Sequence, residues 1–222
     1  MVPAPLNIPR LVNAISSDRF TSYLNARGQD QDRAFALYEW NAELCGAFYM
    51  PLQAVEVALR NSFHRELQAS FGIDWPLEPK FLGVDIGLHK TIDDAKQQVR
   101  ASKCQLDTPH VVAALSFGFW TTLLSKRLTD AIWLPALHRA FPEFYKLHAK
   151  AVTRADAAKL FDEIRHFRNR VFHHEPLFHR KSLQGDYDRL LEAAAWICPD
   201  LTLWARQRSA SCQTMITLGP PP

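Results

Sequence analysis

Along most of the chain apolar residues recur three or four positions apart, and proline or glycine marks the breaks, which is the pattern of amphipathic helices. Between residues 30 and 71, Leu37, Leu44 and Phe48 form one stripe, and Leu52, Val55, Leu59, Phe63 and Leu67 form the next. Gly46 and Pro51 stand between the stripes, predicting two helices or one sharply kinked helix. Residues 72–88 carry two prolines and three glycines and read as a loop over the surface. A more polar helix is predicted over 89–104. Thr108 and Pro109 then make a helix start, with Thr as N-cap and Pro in the first turn. The apolar stretch that follows, around Phe117, Gly118, Phe119 and Trp120, predicts a buried helical hairpin or broken helix.

The clearest helix is predicted between about Lys150 and His174. Leu160, Ile164, Phe167 and Val171 give it one buried face, and Pro176 stops it. A last helix is expected near 182–198 on Leu183, Tyr187, Leu190, Ala194 and Ile197. Three regions follow from this pattern: an arm with short helices over 1–29, one all-helical domain over 30–208, and a disordered tail over 209–222.

Composition sharpens the fold class. The 222 residues include only eight glycines, too few for an all-β chain with many tight turns, and 47% of them are hydrophobic, enough for a real core. The expected fold is all-α. Four widely spaced cysteines without a C-x-x-C pair read as reduced thiols of a cytoplasmic protein. No signal peptide is read at the start, and no apolar run approaches the roughly 20 residues that span a bilayer, so the protein is expected to be soluble and to make no membrane contact.

A net charge of +3 does not by itself indicate a nucleic-acid partner, but its placement changes the picture. Between Glu163 and Lys181, five cations (Arg165, Arg168, Arg170, Arg180, Lys181) face only Glu163 and Glu175, a local +3. The same segment holds His166, His173, His174 and His179, four of the nine histidines. A basic, imidazole-rich patch suits a phosphate-bearing partner such as RNA. On a helix, Asn169 and His173 share a face, while Arg168 and His173 lie roughly 140° apart and flank a common edge. RNA cleavage by internal transesterification requires a base for the 2′-hydroxyl, an acid for the leaving 5′-oxygen and a cation for the phosphorane. Histidine near its reference pKa and arginine supply these without a metal or other cofactor.

Arg168-Asn169-Arg170-Val171-Phe172-His173 resembles the R-N-x-x-x-H signature of HEPN domains. The longer string RNRVFHHEPLF, with EVALRNSF at 56–63, LSFGFWTTLLS at 115–125 and AAAWICP at 193–199, is similar to Abi-like (abortive infection) bacterial proteins. The resemblance spans roughly residues 30–200. It implies a HEPN-like helical bundle with additional helices, commonly a homodimer whose two signature motifs form a composite ribonuclease site. It further implies a role as a toxin or phage-defence effector, with an antitoxin or defence-system protein as a partner. On this basis Arg168 is expected to bind phosphate, Asn169 to position and His173 to catalyse. His174, Arg170, Glu56 and Arg60 are supporting candidates, and Arg165, His166, Arg180 and Lys181 are RNA-binding candidates. Some HEPN toxins carry a tyrosine shortly after the histidine that a partner enzyme modifies; Leu177 and Phe178 follow here, so that control is not expected.

Competing readings attach to the same residues. Arg60-Asn61-Ser62-Phe63-His64 echoes the signature one residue short and reads as structural support, with Glu56 either pairing with Arg60 at i, i+4 or reaching Arg168. A metal cluster of His166, His173, His174 and His179 is disfavoured, because adjacent histidines point apart and Arg170 repels a cation. Phe117, Phe119 and Trp120 read as core rather than as a base-stacking platform. For the whole chain the alternatives are a non-catalytic RNA- or nucleotide-binding module acting through a partner, or an interaction protein whose basic helix serves dimerisation alone.

Overall fold

The computed structural model describes residues 7–134 and 136–222. The proline-rich start of the expected arm, residues 1–6, and Pro135 lie outside them. Among the described residues there are α-helices, one short 3₁₀ turn and one π turn, and no strand. In chain order the helices are α1 (Ile8–Ile15), α2 (Ser17–Ala26), α3 (Gln31–Ala47), α4 (Tyr49–Phe71), α5 (Pro79–Leu82), α6 (Ile86–Ala101) and α7 (Thr108–Ala114). They continue with α8 (Phe117–Thr122), α9 (Leu137–Ala140), α10 (Phe144–His148), α11 (Arg154–Phe172), α12 (Leu183–Ile197), α13 (Pro199–Arg208) and α14 (Ala210–Leu218).

Local chemistry explains the starts. Side chains of Asp30, Asp85, Asp107, Thr153 and Ser182 each accept a hydrogen bond from a backbone N–H of the first turn that follows. Thr153 and Asp156 complete a reciprocal capping box at the start of α11. The predicted break between the two stripes falls at Phe48, and Pro51 sits in the first turn of α4, where a missing N–H costs nothing.

Inside the bundle α4 packs on α12 and α13, while α11 packs on α12 and α8. Rings fill the joints: Phe48 meets Phe167 edge-on at 4.7 Å, and Trp196 meets Phe144 at 4.5 Å. Burying each such ring contributes on the order of 2 kcal/mol. Phe117, Phe119 and Trp120 are core, as their apolar setting implied.

Four expectations are corrected. Of the arm and short helices expected over 1–29, the short helices are present as α1 and α2 and the arm is not, since Phe20 and Tyr23 are buried and α2 lies on α3. Residues 72–88 are not a surface loop: Trp75 and Phe81 are buried, 4.6 Å apart, on either side of the prolines. Asp107, not Thr108, caps α7; the Thr108 hydroxyl instead donates to Asp74 at 2.7 Å. The tail expected to be disordered forms α14, where Cys212 is buried. The carbonyls of Pro221 and Pro222 accept from Arg27 and Arg33.

Candidate functional site

The signature residues occupy the last turn of α11 and the three residues after it. His173 caps the helix and His174 follows in the left-handed region, φ 54°. His174 N–H donates to the Val171 carbonyl at 3.1 Å and Glu175 N–H to the Arg170 carbonyl at 2.9 Å. These two bonds make a Schellman terminus, which normally places glycine where His174 stands. The apolar contact that usually accompanies it is replaced by charge: Arg170 Nε lies 3.2 Å from a Glu175 carboxylate oxygen.

Two residues from distant elements pin this terminus. Arg19 of α2 donates to the His173 carbonyl at 2.7 Å. Buried Asn41 of α3 accepts from Leu177 N–H at 2.7 Å and donates to the Glu175 carbonyl at 3.3 Å. Sequence reasoning missed both. Asn41 had a signal, a polar side chain inside the apolar face of Leu37, Trp40 and Leu44; Arg19 had none.

Arg168 is half-buried in a cavity of about 210 Å³ with Gln53, Glu56, Arg60, Trp120 and Phe172. Glu56 approaches Arg168 Nε at 3.4 Å, so of the two partners open to it Glu56 takes the α11 arginine. The guanidinium carbon lies 4.2 Å from the centroid of the Phe172 ring, in a cation–π contact. Held from both sides, the guanidinium keeps its Nη groups without hydrogen-bond partners among the described residues. Trp120 also lines this cavity, and its buried Nε1 donor has no partner either, an arrangement that is costly unless an acceptor arrives. Arg60 donates to neighbouring Asn61 at 3.3 Å and adds a second cation to the lining.

A second, more apolar cavity of about 230 Å³ adjoins the first, lined by Cys45, Gly46, Val171 and His174. Tyr49 and Phe172, with centroids 6.2 Å apart, line both. Tyr49 is 54% exposed and Phe172 38%, so an aromatic patch faces outward beside the two histidines.

Other candidates are placed less centrally. His173 is exposed and lines neither cavity. Asn169 is half-buried, and its side chain makes no hydrogen bond among the described residues. His166 and Arg165 both lean on Asp162, at 3.3 and 2.7 Å. Lys181 is exposed and unpaired among the described residues. Arg180, also an RNA-binding candidate, is engaged within the fold. It makes a two-pronged bond to buried Asp186, at 2.8 and 2.5 Å, and this bond holds its pKa above the usual value. That commitment leaves Arg180 less free than Lys181 to take a phosphate.

Within the echo motif on α4, Arg60 lines the Arg168 cavity while His64 is engaged elsewhere. His64 Nδ1 accepts from the buried Trp75 Nε1 at 2.9 Å, and burial, with Arg60 and Arg65 nearby, pushes the His64 pKa down. His179 lies against the Phe178 ring at 4.1 Å. Among the described residues, His, Cys, Asp and Glu side chains form no group of three able to hold a metal ion, and no helix is long and apolar enough to cross a membrane. The chain matches no family model, no curated protein and no solved structure.

Proposed function

We propose that this chain is a metal-independent endoribonuclease of HEPN type, working as a homodimer, in phage defence or as a toxin. One observation carries the reading: Arg168, oriented by Glu56 and Phe172, presents unpaired Nη donors at the end of the helix from which His173 and His174 project. An oriented cation with open donors suits the non-bridging oxygens of a phosphodiester. The outward Tyr49–Phe172 patch supports association across a two-fold axis, which would add the second protomer's histidine to the first protomer's arginine.

In the reaction, one imidazole takes the 2′-hydroxyl proton as O2′ attacks phosphorus. The second, as imidazolium, gives its proton to O5′ as the P–O5′ bond breaks. Products are a 2′,3′-cyclic phosphate and a 5′-hydroxyl, and Arg168 neutralises the oxyanion between them. Arg170 and Asn169 support the terminus, with Lys181, Arg165 and His166 on the approach to it.

The test is incubation of wild type, Arg168→Ala and His173→Ala with tRNA and a structured messenger in EDTA, followed by end-group analysis. Wild type should leave cyclic phosphate ends, and each variant should lose at least roughly 10²-fold in rate. Three inert or three equally active preparations refute the nuclease. Position favours one other reading: His173 lines neither cavity, as in a non-catalytic RNA-binding module that works through Arg168. Such a module binds RNA, loses affinity on Arg168→Ala and ignores His173→Ala.

A further inference from the structure

A larger cleft, about 830 Å³, lies outside the signature site between α6, α8, the 3₁₀ turn Lys126–Leu128 and α11. Four cations line it: Arg127, Arg154, Lys159 and Arg165. Asp162 is the only acidic side chain among the described lining residues. Arg127 and Arg154 are locked in place, by Asp85 at 2.6 Å and by the Leu124 carbonyl at 2.6 Å. Lys159, by contrast, is exposed and has no charge partner among the described residues. Ser125, on the cleft wall, carries a buried Oγ without a hydrogen-bond partner. Fixed cations, a free ammonium and an unsatisfied hydroxyl together describe a site for oxyanions.

Position relates the cleft to Arg168. At 100° per residue, Arg154, Ala158, Arg165, Arg168 and Phe172 fall within an arc of about 80° on α11, over a length of about 27 Å. Helix α8 separates the two hollows, contributing Gly118 and Thr121 to the cleft and Trp120 to the Arg168 cavity. We infer that the cleft holds the phosphodiester backbone of single-stranded RNA, on the face of α11 that also carries Arg168 beyond α8. This inference rests on the ribonuclease reading for its choice of polymer. A single strand is the occupant inferred, because one backbone can follow the cations along one helix face. Its length suits the short end of single-strand footprints, on the order of 4–16 nucleotides.

The test uses the full chain with His173→Ala, so that RNA is not consumed, and a 5′-fluorescein oligouridylate dodecamer followed by anisotropy across a salt series in EDTA. Adding Lys159→Ala should weaken binding about three- to tenfold and reduce the salt slope by about 0.7, one phosphate's worth on a single strand. Lys80→Ala, an exposed lysine outside the cleft, should bind as the parent does. Parent-like binding by Lys159→Ala, or equal loss in Lys80→Ala, overturns the cleft; so does equal affinity for a duplex of the same length. Absence of binding by the parent overturns it as well. Cleavage by the chain with His173 restored is scored separately. A chain that cuts RNA but ignores Lys159→Ala sinks the cleft alone, and one that binds through Lys159 but never cuts sinks the nuclease alone.

Discussion

His64 shows how one side chain reports on its surroundings. Its Nδ1 accepts the indole proton of Trp75, so the fold requires the neutral ring, and burial lowers its pKa below 6.5. Below about pH 6.5 the unfolded chain therefore binds more protons at this position than the folded one, and stability falls as pH falls. The urea midpoint of wild type should drop between about pH 7.5 and 5. In His64→Gln, whose amide oxygen can still accept from Trp75, that drop should be smaller; an unchanged drop would remove His64 from the account. The sequence already separated this histidine from the signature by its spacing in a core helix. It did not disclose Trp75 as the partner, because that tryptophan sits just before Pro76 in a stretch where no periodicity points inward.

Among the elements, α11 combines a conventional beginning with an unusual end. Its apolar face of Leu160, Ile164, Phe167 and Val171 was legible in the residues, whereas the capping box of Thr153 and Asp156 emerged only in the structure. The Schellman terminus was not legible, since it is normally announced by a glycine and here carries His174 at φ 54°. A side chain in that region costs about 1 kcal/mol, so His174→Gly should raise thermal stability by about that amount, measured by calorimetry. A lower melting temperature would mean that His174 stabilises the native state by contacts stronger than the backbone cost. Strain kept at a helix end beside Arg168 agrees with a functional use of the imidazole.

For the molecule as a whole, cysteine burial distinguishes the packed body from its surface. Burial pushes the Cys45 thiol up to about 11 and Cys212 up to about 12, while Cys104 is exposed. In native protein at about pH 8 a disulfide reagent should label Cys104 readily. Cys45 and Cys212 should be labelled only after denaturation, read by peptide mass mapping. Rapid native labelling of Cys212 would detach α14 from the body. The expectation of an all-helical chain needed only the 3.6-residue period and the scarcity of glycine. The packing of the ends was missed for a physical reason: Phe20, Tyr23 and Cys212 stand in polar stretches, and their burial comes from tertiary packing of α2 on α3 and of α14 on α3 and α12.

Phe172 belongs at once to the outward patch and to the seat of Arg168. Whatever surface covers its ring excludes water from one side of the Arg168–Glu56 pair and lowers the dielectric in which those charges meet. Covering the patch and orienting the cation thus become linked equilibria, each shifting the other by the same factor. An anion that draws Arg168 off Glu56 would feed back on the affinity of the covering surface, making assembly and ligand occupancy two readings of one free energy.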